Sequence, residues 1–434
     1  TEFAIPSTIN GLPVTSIGDS AFDDCTKLES VTLPEGLRKI GTYSFYFCTN
    51  LKSVNIPSTV ETIGVNAFRS TAITELTVPA TVETISYGAF RDMTSLTTVT
   101  IEGDVHIPNY AFRGCTNLRT VYINGENATV GSSMAFCNAS SNNQNTNNLT
   151  FYVKNYTVAV QVKTCMGVGS DYHIYVNNDL VYSLVYNENL KKNEEVVNKL
   201  KTVKNTSELQ NALNNTAEGD IICLMPGVTY DAVTIAAPMA KNVTVFGAKD
   251  AVLKGMACDL PSFTTGAELC GFTLQNVAFE GKGFYLTNVS NQAPWGFVEN
   301  FTMDGCSFKG DNKDDVLGNR LFDYGTDSPG SHQFINLKIT NCTVDTAIQG
   351  IRVGALRGNC VISGNEITNV AHNAITIRSV QEGTTLVEDN VISGGGDRAF
   401  RIGANSATVN YVNNTITNTG DADDGSNFKA NTLG

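Results

Sequence analysis

The sequence predicts a mainly β protein made of two solenoids in tandem, the second a right-handed parallel β-helix. Three observations carry this. A phenylalanine preceded by Ala or Ser recurs at Phe22, Phe45, Phe68, Phe90, Phe112 and Phe136, at intervals of 23, 23, 22, 22 and 24 residues. Beyond Val243, a second column runs Val277, Cys306, Cys342, Asn365, Asn390, Asn414, and each member is followed two residues later by Phe279, Phe308, Val344, Ile367, Ile392 or Ile416. A third column, Phe322-Asp323-Tyr324, Ile351-Arg352-Val353, Ile375-Thr376-Ile377, Phe400-Arg401-Ile402 and Phe428-Lys429-Ala430, shares the second register. Fixed periods of this size are the signature of stacked coils, none of which buries its core alone.

In the first half, two further signatures travel with each Phe. Leu28-x-x-Val31-x-Leu33-Pro34 is repeated as Leu51-x-x-Val54-x-Ile56-Pro57, Ile73-x-x-Leu76-x-Val78-Pro79, Leu96-x-x-Val99-x-Ile101 and Leu118-x-x-Val121-x-Ile123. Its alternation is that of a short strand with one buried face. Ile17-Gly18, Ile40-Gly41, Ile63-Gly64 and Ile85-Ser86 each precede a Phe by five residues. Three residues after each Phe stands Cys25, Cys48, Thr71, Met93, Cys115 or Ala139. Thr and Ala replace Cys in that column, so it reads as packing, with a Cys25–Cys48 disulfide as the minority alternative. These motifs resemble the BspA-like leucine-rich repeats. The resemblance implies a bacterial surface or secreted setting, recognition or adhesion, and no catalytic residues. The outward strand columns are Ser30, Ser53, Glu75, Thr98, Thr120, Thr150 and Thr32, Asn55, Thr77, Thr100, Tyr122, Tyr152. Such a sheet is the usual binding face of repeat proteins, which makes Glu75, Tyr122 and Tyr152 candidate ligand-binding residues.

After the polar loop Asn138–Asn148, strands are expected at Leu149–Val153, Val158–Val162 and Tyr172–Val176. Residues 1–178 are taken as the repeat domain and 179–201 as a connector. Part of that connector is expected to be helical, because Val196, Val197 and Leu200 fall at helical spacing. Residues 202–434 are the β-helix domain. It opens on a short helix, Thr206 to Leu213, capped by Thr206 or Ser207 and placed to cover the open N-terminal end. Asn365, Asn390 and Asn414 are expected to form a ladder of stacked side chains bonding adjacent coils. The helix, the Gly219–Tyr230 stretch and the coils resemble the pectin-lyase-like superfamily, with surface proteins of gut Bacteroidetes as the nearest likeness. That likeness is specific for fold and weak for activity.

A polysaccharide lyase needs a carboxylate-neutralising cation, a base and an acid. Lyases of the superfamily place these on the outward face of the third column. Arg352, Arg401 and Lys429 lie on that face, and His372 lies close in sequence. The paired carboxylates of the Ca2+-dependent enzymes have no match, since Asp323 stands alone. Arg352 and Arg401 are therefore also read as a basic strip for acidic glycan, and Trp295 as a sugar platform. No cofactor is expected. Ca2+ is the one ion with candidate ligands, at Asp311, Asp314, Asp315 and at Asp421, Asp423, Asp424. The four histidines show no HExxH spacing and the cysteines no CxxC pair, so zinc is not expected.

The net charge of −13 and the low charged fraction of 16% argue against nucleic acid and anionic membranes as partners. No run of about 18 apolar residues exists to span a bilayer. The expected role is that of a noncatalytic extracellular or cell-surface binding protein, a monomer, recognising a host protein or a polysaccharide. A divergent lyase acting by β-elimination is the alternative. The sequence opens on Thr1 and in mid-repeat, so a signal or lipoprotein segment and earlier repeats are expected outside it.

Overall fold

The computed structural model describes residues 1–136, 148–166, 171–187, 192–236, 239–248, 250–259, 269–287, 297–310, 319–323, 333–394, 396, 398–403 and 407–417. The chain divides into two compact units, Thr1–Leu200 and Lys201–Gly434.

In the first unit each coil contributes one strand to a parallel sheet. Strands Glu2–Ala4, Ser30–Thr32 and Ser53–Asn55 form a first group. Strands Glu75–Val78, Thr98–Ile101, Thr120–Ile123, Leu149–Val153 and Tyr172–Val176 continue in parallel register. The Ile of each Ile-Gly motif lies in a second, two-residue strand on the coil. The glycine there permits close backbone approach: a Cβ on Gly64 would fall 2.6 Å from the Gly41 carbonyl carbon. The phenylalanines make one continuous stack, with ring centroids 5.1, 5.2, 5.9, 5.1 and 5.5 Å apart from Phe22 to Phe136.

The cysteine column is interior packing, and the described cysteines are all unbridged thiols. Cys48 Sγ donates to the Phe22 carbonyl at 3.0 Å and Cys115 Sγ to the Phe90 carbonyl at 3.2 Å. Burial pushes both thiols from the ordinary 9.0 up to about 12. The folded state therefore keeps these protons to higher pH than the unfolded chain does. Their contribution to stability is complete below pH 9.0 and is lost as pH rises toward about 12. Two results are expected. Below about pH 8 a thiol reagent should label Cys48 and Cys115 only as fast as the unit unfolds. Alkaline loss of thermal stability should be smaller in a Cys48→Ala, Cys115→Ala variant. Labelling at the rate of a free thiol would contradict the buried column.

Three local expectations are corrected here. Residues 158–162 lie in a helix, Tyr156–Met166, not a strand. Asn155 Oδ1 accepts from the Val158 amide at 3.1 Å, and Val158, Ala159, Val160, Val162 and Met166 are buried. A run of apolar residues buried on consecutive positions carries no period, and tertiary packing chooses between helix and strand. The expected helix in the connector is a strand instead. Asp179–Asn187 and Lys192–Asn198 form an antiparallel hairpin that ends the sheet after Tyr172–Val176. The hairpin is part of the first unit, and its Tyr182 hydroxyl donates to Glu195 Oε1 at 2.9 Å. Thirdly, the helix Thr206–Asn214 is capped by Asn205, whose side chain accepts from the Glu208 amide at 2.9 Å.

The second unit is a parallel β-helix with three strands per coil and three sheets. Helix Thr206–Asn214 buries Leu209 and Leu213, and Gln210 bonds both the Thr234 amide and its carbonyl at 2.9 and 2.7 Å. The asparagine ladder is present. Asn365 Nδ2 donates to Asn390 Oδ1 at 2.9 Å and to the Ile339 carbonyl at 3.0 Å. Asn390 repeats this one coil on, to Asn414 Oδ1 and the Ile362 carbonyl. Cys342 continues the column by donating its backbone amide to Asn365 Oδ1 at 2.9 Å.

Candidate functional site

In the first unit, alternation along each strand sends Val121, Ile123, Phe151, Val153, Ile174 and Val176 into the core. The intervening residues face outward. Parallel register then sets Tyr122 beside Tyr152 and Tyr152 beside Tyr175. Their rings stack at 5.0 Å in each step, with interplanar angles of 17° and 23°. Tyr122 and Tyr152, singled out from the sequence, are thus neighbours. Tyr175 belongs with them and was missed, although Tyr172-x-Ile174-x-Val176 has the same alternation. Beyond Tyr122 the next residue in the column is Thr100. The stack ends there, and Tyr122 is 37% exposed. The adjacent column runs Glu75, Thr98, Thr120, Thr150, His173, so Glu75 shares this face at its far side. His173 Nδ1 lies 2.8 Å from Ser183 Oγ. The face is an aromatic ladder in a threonine-lined surface, able to pack apolar rings and offer hydroxyl hydrogen bonds.

In the second unit, the third sheet aligns Asp323, Arg352, Thr376 and Arg401. The expectation that this column faces solvent holds at Arg401 and is corrected at Asp323 and Thr376, which are 0% and 4% exposed. Arg320 Nη1 donates to Asp323 Oδ2 at 2.7 Å, and Arg352 Nη1 lies 3.5 Å from Asp323 Oδ1. Two guanidiniums take up the two carboxylate oxygens, because a buried carboxylate must be paired. Arg352 therefore lies against a carboxylate of its own chain. Arg401 and His372 are exposed, on successive coils. Lys429, Trp295, Asp311, Asp314, Asp315, Asp421, Asp423 and Asp424 lie outside the described residues.

With this geometry in place, comparison with known proteins adds the following. Residues 15–152 match the family model described as the BspA type leucine rich repeat region, in six copies. The first unit carries BspA-type leucine-rich repeats. Residues 265–428 match the family described as periplasmic copper-binding protein (NosD), on the right-handed parallel β-helix of the second unit. Two solved structures are similar in part. The leucine-rich repeat protein TpLRR of T. pallidum is 28% identical over 30% of this chain and 73% of its own, at a TM-score of 0.26. A leucine-rich repeat protein from Bacteroides ovatus is 16% identical over 83% of this chain and 79% of its own, at a TM-score of 0.28. No curated protein matches the chain.

The copper named in the second family does not fit the described residues. Copper favours thiolate, thioether and imidazole donors. The Cys306 and Cys360 thiols are buried and donate to the Leu274 and Arg357 carbonyls at 3.5 and 3.2 Å. Among the described residues, no three His, Cys, Asp or Glu side chains gather where one ion would touch them. The BspA-type repeats and the β-helix supply scaffolds, and on the repeat sheet the tyrosine ladder is an exposed constellation of defined geometry. Among the described residues no helix is long and apolar enough to cross a membrane.

Proposed function

We propose that this protein is a noncatalytic recognition protein that acts outside the cytoplasm, displayed at a cell surface, and that binds a host protein or polysaccharide on the sheet of its BspA-type repeats. The observation that carries the reading is the Tyr122–Tyr152–Tyr175 stack with its open end over Thr100. Rings already stacked have lost their side-chain freedom before a ligand arrives, so binding costs little further entropy. The open Tyr122 face can take one more flat apolar group, and the threonines beside it supply hydrogen bonds. A location outside the cytoplasm is supported by the periplasmic family that residues 265–428 match.

The test is an array of extracellular-matrix proteins and glycans, followed by titration of the strongest binder. Tyr122→Ala should weaken that binder by about tenfold or more, the loss typical of an aromatic anchor, while circular dichroism stays unchanged. Tyr122→Phe should retain most of the affinity. An array without binders, or a binder indifferent to Tyr122→Ala, would sink the proposal.

A further inference from the structure

The turns that flank each core phenylalanine carry a second surface, separate from the sheet that bears the tyrosine ladder. Two residues before and two residues after the phenylalanine, the backbone is left-handed in every coil from Phe22 to Phe112. Residues such as Ser20, Asn66 and Gly88 hold the first position, and Asp24, Ser70 and Gly114 the second. In the coil of Phe45 both positions are aromatic instead: Tyr43 and Phe47, with φ of 55° and 54°. Bulky residues adopt that conformation at a penalty. Both nevertheless keep their side chains open to solvent, at 38% and 39% exposure. Strain held at an exposed ring points to something outside the chain that the ring meets.

The half-buried Tyr46 joins the two rings. It meets Tyr43 at 5.2 Å and 87°, and Phe47 at 4.5 Å and 69°. In an edge-to-face pair one ring keeps both of its faces clear of the other, and a ring face attracts cations. The cluster already takes one cation of its own chain. The Arg69 guanidinium, held by Asp92 at 2.9 Å, lies 5.5 Å from the centre of the Tyr46 ring. On the other side stands the coil of Phe22. Its Phe22 amide donates to the Ser44 carbonyl and its Asp24 amide to the Tyr46 carbonyl, both at 2.8 Å. That register sets Asp23 beside Tyr46 and Asp24 beside Phe47. Both aspartates are exposed, and among the described residues neither is in an ion pair. Asp19 Oδ1, on the same coil, accepts from the Thr42 amide at 2.8 Å, next to Tyr43. Residues 18–27 hold three carboxylates against one cation, Lys27, and residues 41–50 hold no charge. The aromatic cluster is therefore bordered by an acidic coil.

We propose that this face binds a basic segment of a protein partner, its lysine or arginine side chains laid along the Tyr43 and Phe47 rings with their charges against Asp23 and Asp24. Charge complementarity selects this occupant. A second copy of the chain would bring its own net charge of −13 to an acidic border. A neutral sugar could stack on the rings but would leave the two carboxylates unused. Long basic side chains lay an alkyl stem on apolar surface while the head reaches a polar group, which suits rings and carboxylates on adjacent coils.

The test titrates the full chain with fluorescently labelled octalysine, a neutral Gly-Ser octamer and a neutral oligosaccharide, cellohexaose. Octalysine should bind at least tenfold tighter than the neutral peptide, and its binding should weaken as salt rises. Asp23→Asn and Asp24→Asn together should weaken octalysine about tenfold. Glu35→Gln and Glu83→Gln together remove the same charge from exposed positions elsewhere in the unit and should change it less than twofold. Tyr43→Asn and Phe47→Asn should each weaken binding severalfold without lowering the melting temperature, because asparagine takes the left-handed turn at less cost. Lost affinity at undiminished stability is not what a merely structural role produces. Full affinity in the Asp23, Asp24 variant, an equal loss in the Glu35, Glu83 variant, full affinity in both ring variants, or tighter binding of cellohexaose would each overturn the proposal, the last in favour of a neutral glycan.

Discussion

Phe68→Ala is expected to destabilise the first unit by about 3–5 kcal/mol, the cost of emptying a buried phenylalanine site that cannot collapse. Phe68 is fully buried and stacked on both sides, against Phe45 at 5.2 Å and Phe90 at 5.9 Å. The surrounding backbone is tied coil to coil, with the Phe68 amide donating to the Ala89 carbonyl at 2.8 Å, and so cannot close the gap. A solenoid is stabilised through nearest-neighbour interfaces, and this substitution damages two of them. Phe22 provides the comparison. It is partly exposed and stacks fully on one neighbour, Phe45. Phe22→Ala should therefore cost clearly less. Urea denaturation followed by circular dichroism measures both. Equal losses for the two variants would mean that the stack is not the source of the stability.

Asp323→Asn should be the most damaging conservative change in the second unit, at about 3–5 kcal/mol, because it removes a buried carboxylate charge from beside a buried arginine. Arg320 is itself 4% exposed at the side chain, so water cannot stand in for the lost carboxylate. Volume is nearly conserved, which isolates charge from packing. Replacing Asp323 and Arg320 together by Leu and Met should recover much of the loss, since a buried ion pair contributes little beyond an apolar pair of similar size. Arg352→Gln should cost less than Asp323→Asn, because Arg320 still holds the carboxylate at 2.7 Å. Urea denaturation followed by circular dichroism gives these values. A loss below about 1 kcal/mol for Asp323→Asn would show the cluster to be solvated, in the range of surface pairs, and would return Arg352 to the list of groups available to a substrate.

Much of the fold was legible because solenoids write their geometry as intervals. The phenylalanine period, the strand alternation beside it and the asparagine column each correspond to a stack found in the structure, and Thr71 in the cysteine column correctly signalled packing. The errors fall where periodicity is absent. Tyr156–Met166 buries consecutive residues, so no pattern separates helix from strand. Lys192–Asn198 has charges at spacings compatible with either, and the hairpin partner Asp179–Asn187 decided it. Asn205 rather than Thr206 caps the following helix, a one-residue difference that depends on backbone angles.

Of the candidate sites, Tyr122 and Tyr152 could be paired from sequence because residues one coil apart on a parallel sheet must be neighbours. By itself, then, the sequence determined the two repeat types and, in the first unit, which strand positions face inward. Tertiary structure decided what those columns do. It added Tyr175 to the ladder through strand register. It set Arg352 against the buried Asp323. It also showed that Tyr43, Phe47 and Tyr110 sit in left-handed turns. The physical reason is that a period specifies which residues are adjacent, whereas burial, pairing and strain depend on how adjacent side chains fill three-dimensional space.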